Sequence, residues 1–255
     1  MKVLLGVGGD HQGNPENWLS LLESSQSRIV FINSVYDLIK SYDFDGLDLA
    51  YEFPKMKPIK ERSGIGSVWY SFKKTVGAAG NPVDPKSDEH REEFTALVRE
   101  LKNSFRPDNY QLSITINPNV NSSLYLDVPS ILNNVDWVNL AVFDIQTPER
   151  YNKKADFVAP LYAPSDRHPE FNVDYQVKSL MNRGFPAAKI IIGIPTYGRV
   201  WVIEDGSTST GVPPVDAKGL KNYLQRPRIF LIFLLLNRPC TGKCSIEARR
   251  IHELP

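Results

Sequence analysis

Short apolar runs alternate along this chain with longer stretches whose apolar residues recur every three or four positions. The runs Lys2 to Gly8, Gly46 to Phe53, Gln111 to Ile116, Trp137 to Phe143 and Ile190 to Pro195 read as strands. Between the first two, Phe31, Ile32, Val35, Leu38 and Ile39 predict a helix from about Ser27 to Tyr42 with one face on a sheet. Phe94, Leu97, Val98, Leu101 and Phe105 predict a second helix, opened by Asp88 and Glu89, whose charge suits the positive helix end. Val173, Val177, Leu180 and Met181 predict a third, closed by Gly184 with Pro186 following. This alternation is that of repeated βα units around a parallel sheet.

Polar residues gather where the strands end: Asp10, Glu52, Asn117, Asp144 and Tyr197. In a parallel barrel those ends carry binding and chemistry. Any one of them is equally explained as a loop or capping residue, so it is the grouping that points to a site. The segment FDGLDLAYEFP, Phe44 to Pro54, is the most informative. Strand side chains alternate, so Asp48, Ala50 and Glu52 share one face while Leu47, Leu49, Tyr51 and Phe53 share the other. The apolar set belongs under the helices and the acidic set inside the barrel. A buried carboxylate is costly unless hydrogen-bonded or protonated, so two on one inner face suggest a site. The alternative is that Asp48 is a satisfied core acid and Glu52 a rim residue that binds nothing.

A chain of 255 residues is long enough for one barrel domain. Its formal net charge of +1 offers no field to draw nucleic acid or an anionic membrane, and a neutral or locally recognised ligand fits better. Cys240 and Cys244 alone make neither a disulfide framework nor a zinc site, so no metal and no cofactor is expected. The opening MKVLLGVGGD reads as a strand and not as a signal peptide. The apolar run Ile229 to Leu236 is far short of the ~20 residues a membrane-spanning helix needs. Lys55, Lys57, Lys60 and Arg62 form a basic loop that either touches anionic glycans or is simply solvated. Trp69, Tyr70 and Phe72 either stack on sugar rings or pin their loop. Asn121 opens an Asn-Ser-Ser glycosylation sequon.

The segment around Asp48 resembles the D-x-x-D-x-D-x-E motif on the fourth barrel strand of glycoside hydrolase family 18 chitinases. Asp45, Asp48, Ala50 and Glu52 stand at its four positions, so one acid is replaced. KVLLGVGGD resembles the family's third strand, QLSITINPNV its fifth, WVNLAVFD its sixth and KIIIGIPTYGRVW its seventh. The resemblance covers Lys2 to Trp201 and implies an α/β fold, a (β/α)8 TIM barrel in which strands three to seven are recognisable and the first, second and eighth have no counterpart. Residues 202–217 read as the start of the insertion after the seventh strand, and 218–255 as a tail foreign to the barrel pattern.

Within the family, DGLDLAYEFPK, SGIGSVWYSFKK, EFTALVRELKNSFRPDN and NPNVNSSLY resemble the imaginal disc growth factors, secreted chitinase-like proteins that act in growth and not in hydrolysis. In the family's chemistry the substrate's own acetamido oxygen attacks the anomeric carbon. The resemblance makes Glu52 the acid on the leaving oxygen and Ala50 the replacement of the Asp that holds the acetamido N–H. Those growth factors usually carry Gln in place of the terminal Glu, whereas this chain keeps Glu52. The sixth strand usually reads Met-x-Tyr-Asp, and here Ala141, Val142, Phe143 and Asp144 keep the acid but lose the hydroxyl. Asp144, Phe143, Tyr197 and Arg199 are then the expected ligand contacts, and Asp48 and Asp45 the remaining motif acids. Three readings follow. One is a non-hydrolytic secreted growth factor or lectin that binds a chitin-type glycan or a cell-surface partner. The second is an active or weakly active chitinase relying on Glu52 as general acid, and the third a truncated product without native function.

Overall fold

The computed structural model of the protein describes residues 1–9, 15–55, 84–117, 120–145, 147, 155–163 and 168–198. Five strands, β1 (Leu4–Gly8), β2 (Gly46–Ala50), β3 (Gln111–Ile116), β4 (Trp137–Leu140) and β5 (Ile190–Ile192), lie side by side in chain order and all pair in parallel. Helices return the chain between them: α1 (Pro15–Glu23) and α2 (Ser25–Ser41), α3 (Ser87–Phe105), the short α4 (Ser122–Tyr125) and α5 (Val128–Ile131), and α6 (Val173–Asn182). A parallel sheet in sequential order with a helical crossover after each strand is the wall of a β/α barrel. Among the described residues no helix is long and apolar enough to cross a membrane. The segments 202–217 and 218–255, with Ile229 to Leu236, Cys240 and Cys244, lie outside the described residues, as do Trp69, Tyr70, Phe72, Lys57, Lys60 and Arg62.

Every strand read from the sequence forms, but four are shorter than their apolar runs. The second stops at Ala50 instead of Phe53 and the fourth at Leu140 instead of Phe143, because each turns out of the ladder at its end. The Phe53 amide donates to the Tyr51 carbonyl at 3.2 Å and the Val142 amide to the Leu140 carbonyl at 3.1 Å, bonds that close tight three-residue turns. The fifth ends at Ile192 and not at Pro195, and the first begins at Leu4 and not at Lys2.

The predicted helices are present with small shifts. α2 starts at Ser25 because the Ser24 hydroxyl accepts the Ser27 amide at 3.2 Å, an N-cap. Its Ile32, Val35 and Ile39 are buried, but Leu38 is 44% exposed, about 100° around the helix from Ile39. All five apolar residues predicted for α3 are buried. On α6 only Leu180 is fully buried and Met181 points outward, while Gly184 takes a φ of 102° just past the helix end. α1 has no counterpart in the sequence reading. It is nine residues long and buries Leu22 completely, and its one local signal is Pro15 at the first helical position.

The core lies between the sheet and these helices. Leu47, Leu49, Tyr51 and Phe53 face outward from β2 and the segment after it, and all are buried. Tyr51 meets Trp18 edge-on at 4.8 Å and Phe94 at 5.2 Å, and Phe53 stacks on Tyr125 at 4.1 Å. The Tyr51 hydroxyl donates to the Trp18 carbonyl, and burial pushes its pKa up, so it stays a donor. This aromatic cluster fastens α1 and α3 to the strand that carries the acidic motif.

The N-terminal edge of the sheet is closed by two matching rings. The Asp45 amide donates to the Val3 carbonyl at 2.8 Å, and the Asp45 carboxylate accepts the Val3 amide at 2.6 Å. Asp136 repeats the arrangement on Leu112, amide to carbonyl at 2.8 Å and carboxylate from amide at 2.8 Å, and adds the Lys102 ammonium at 2.8 Å. Burial pushes the Asp136 carboxyl up, but the Lys102 and Leu112 donors outweigh it and hold the group below the usual carboxylate range. Stabilisation from a depressed carboxyl is present above the unfolded-state pKa and lost as pH falls through the folded one. Asp136→Asn is therefore expected to lower unfolding stability by about 1 kcal/mol at neutral pH, a figure discounted for solvent screening. Urea unfolding at about pH 2 should show a smaller difference, since the contribution of the depressed carboxyl is lost as pH falls. An equal deficit at both pH values would contradict the ring's charge as the cause.

Candidate functional site

Opposite the aromatic cluster, Asp48, Ala50 and Glu52 follow one another on the inner face, each half-buried. Parallel pairing sets Asp48 beside Ser113, and Thr115 beside Asn139. One Asp48 oxygen accepts the Ser113 hydroxyl at 2.6 Å and the Asn139 amide at 2.9 Å, and the other accepts the Thr115 hydroxyl at 2.7 Å. Asn139 also donates to Thr115 at 3.2 Å, and its own carbonyl takes the Trp137 indole N–H at 3.1 Å. Asp48 is thus a fully served inner-face acid, the arrangement in which burying a carboxylate is tolerable. The sequence reading missed Ser113, Thr115 and Asn139. The signal was there, since QLSITI and WVNL carry polar residues at alternate positions inside otherwise apolar strands.

Ala50 is held through its backbone. Its carbonyl accepts the Gly9 amide at 3.0 Å and the Asn117 side-chain amide at 3.4 Å, and Asn117 also reaches the Tyr51 carbonyl at 3.3 Å. β1 approaches so closely that a Cβ on Gly8 would lie 2.1 Å from the Ala50 carbonyl oxygen, so position 8 accepts only glycine. The Ala50 side chain adds a methyl between the two acids and no polar atom.

The second part of the site lies beyond β4. Asp144 has a φ of 53°, a left-handed conformation that aspartate tolerates better than most residues and that clusters at functional positions. Its amide donates to the Val158 carbonyl at 2.9 Å, and its carboxylate accepts the Tyr197 hydroxyl. Phe143 sets its ring edge-on to Tyr197 at 6.3 Å, and a Cβ on Gly193 would come within 3.0 Å of that ring. Phe143 is therefore packed between Tyr197 and the backbone after β5 and brings no hydroxyl.

Of the sequence-predicted residues, the fold brings Asp48, Ala50 and Glu52 onto one face and joins Asp144, Phe143 and Tyr197 beyond β4. Asp45 stands apart from these residues. Motif spacing groups it with the catalytic acids, but it precedes β2, and its carboxylate closes the ring on Val3 at the opposite edge of the sheet. Arg199 and Asp10 lie outside the described residues, and Lys55 is exposed. Asn121 N-caps α4, its side-chain oxygen accepting the Ser123 amide at 3.1 Å and hydroxyl at 2.6 Å. Among the described residues no cluster of His, Cys, Asp and Glu is arranged to hold a metal ion.

The family model for glycosyl hydrolases family 18 matches residues 1–230. The chain is 57% identical over 224 residues to "Chitinase-like protein Idgf4" of Drosophila melanogaster, covering 86% of this chain and 50% of that protein. It is 52% identical over 223 residues to "Imaginal disk growth factor 6" of the same organism, covering 84% and 49%. Its fold matches that of human YKL-39, solved in the presence of chitooligosaccharides, with a TM-score of 0.64 and 25% identity over 84% of this chain and 53% of that one. The chain spans about half the length of the curated relatives it matches.

The Asp48 cradle makes a measurable claim. Asp48→Asn supplies one acceptor oxygen where the carboxylate supplied two, and is expected to cost about 1.5–3 kcal/mol of stability. Thr115→Val should cost about 1 kcal/mol alone and less in the Asp48→Asn background, a coupling of at least about 0.5 kcal/mol. Chemical denaturation of the two single variants and the double variant measures it. Strict additivity would mean that the two side chains do not act together.

Proposed function

The chain belongs to glycosyl hydrolases family 18, within its chitinase-like imaginal disc growth factor group, and from that premise we propose that it binds a chitin-type glycan on the inner face without cleaving it. The observation that carries the reading is the row Asp48, Ala50, Glu52, in which a methyl stands between two retained acids. Substrate-assisted hydrolysis needs the acetamido group held and its charge stabilised while the acid protonates the leaving oxygen. Position 50 has no group to hold the acetamido N–H, and Phe143 has none to reach its oxygen. Asp48, Asp144 and Tyr197 remain as polar contacts of the kind that orient a neutral sugar between apolar walls. YKL-39, a relative in fold, was solved with chitooligosaccharides. In this reading the protein is a secreted growth factor or lectin that recognises carbohydrate or a cell-surface partner.

One observation favours a second reading. Glu52 is retained and half-buried on the inner face, so a slow hydrolase using it as the general acid is the alternative. Turnover of a chitotriose-type substrate separates the two. Wild type is expected to bind the oligosaccharide with negligible hydrolysis. Ala50→Asp with Phe143→Tyr should recover part of the activity, and Glu52→Gln in that background should remove it. Each restored transition-state contact is worth roughly a hundredfold in rate, and either one alone should do little because such residues act as a unit. Wild-type turnover that Glu52→Gln abolishes would replace the binding reading with the hydrolase.

The secretory part of the proposal rests on Asn121. Its side-chain oxygen engages Ser123, and it begins a sequon in the turn after β3. Protein made in secreting cells behind a supplied leader should lose mass on glycosidase treatment, with the change mapped to Asn121. An unmodified Asn121 peptide would remove this support.

A further inference from the structure

A groove on the helical layer, outside the sheet and across the core from the inner-face acids, is left over by everything above. It lies between the second turn of α3, the α4 to α5 segment and the end of α6, with a volume of about 430 Å3. Two guanidinium groups line it, Arg91 from α3 and Arg183 from the end of α6. Arg183 is fixed in place, donating to the Ser122 hydroxyl and carbonyl, each at 3.1 Å, and to the Leu126 carbonyl. These bonds fix the guanidinium plane and use both Nη2 hydrogens and one on Nη1, which leaves the Nε–H and the other Nη1–H for a ligand. Arg91 pairs only with the exposed Asp88 carboxylate at 3.0 Å, a surface contact of little worth. One carboxylate faces them, Asp127, and its oxygen already accepts the Ser130 hydroxyl at 2.6 Å. The two guanidinium groups therefore meet one carboxylate in the groove itself, and the second, Asp88, is exposed outside it. Burial and then the neighbouring Arg91 hold Arg183 below the usual guanidinium range, and Asp127 only partly offsets them. Leu126 and the exposed Pro129 add an apolar wall beside the two cations.

We propose that this groove binds an acidic saccharide, with a sulfate or carboxylate group between Arg91 and Arg183 and a sugar ring against Pro129. The Arg91 fork and the remaining Arg183 N–H groups donate to an oxyanion, and an apolar wall suits the C–H face of a pyranose. A ligand that offers both groups side by side meets both halves of the groove. A neutral chitin-type chain has no anion to place there, so the groove and the inner face select different sugars, and this site stands whether or not the inner face binds a glycan.

Calorimetric titration with a heparin-type sulfated octasaccharide tests it, with a neutral chitooligosaccharide, a glutamate-rich peptide and inorganic sulfate as the other arms. The octasaccharide is expected to bind and to weaken as salt is raised. Arg91→Gln should weaken it about tenfold or more, the loss expected for one charge-assisted pair. Arg91→Lys, which keeps the charge but not the fork, should fall between the two. Arg91 is half-exposed on a helix surface, so an unchanged circular dichroism spectrum is expected for both variants. Lys40→Gln, on the exposed face of α2, should leave the affinity unchanged. Octasaccharide binding that Arg91→Gln does not alter would overturn the proposal, as would binding of sulfate or the peptide as tightly as the octasaccharide.

Discussion

The Asp48 carboxylate is the constraint on which the inner face depends. It sits on the middle of the β2 ladder, and its two oxygens take donors from β3 and β4. A one-residue slip of either strand would turn Ser113, Thr115 or Asn139 to the opposite side of the sheet and leave the acid unserved. Register and charge therefore enforce each other. Each Asp48 oxygen is engaged by at least one of these donors, so in this chain it acts first as an anchor of three strands.

The two edges of the sheet are built differently. At the N-terminal edge Asp45 and Asp136 close identical rings on Val3 and Leu112, using backbone and carboxylate together. At the C-terminal edge β2 and β4 bend away from the ladder in tight turns, Gly8 crowds the Ala50 carbonyl, and Asp144 holds a left-handed backbone. The regular edge stabilises and the irregular edge presents side chains, the division common to barrels of this class. It also accounts for Asp45, which belongs to the first edge although its motif spacing suggests the second.

The same separation makes the strand indifferent to the side chain at position 50. The contacts at position 50 run through its carbonyl, to Gly9 and Asn117, and none requires the side chain. Replacing a carboxylate there with a methyl leaves the scaffold contacts intact and removes only chemistry. Phe143 makes a comparable exchange, since its ring fills the space beside Tyr197 and Gly193 while giving up a hydroxyl.

Much of this was legible locally. Alternation placed Leu47, Leu49, Tyr51 and Phe53 in the core and Asp48, Ala50 and Glu52 on the other face, and helical spacing located α2, α3 and α6. Those patterns are properties of one segment and one period, and neighbouring residues in the chain suffice to show them. The donors that serve Asp48 lie 65, 67 and 91 residues away, so no local pattern could name them. α1 escaped for a related reason, because nine residues with one fully buried side chain carry little periodicity, and the helix is held by Tyr51 and Trp18 meeting across the fold. Leu38 and Met181 fit their helical patterns yet face outward, since a helix stripe is wider than the surface that covers it. Local periodicity sorted the strand residues and most helix residues onto their faces, with Leu38 and Met181 the exceptions. Only the tertiary structure decided which residues meet, because strand register couples positions that the chain keeps far apart.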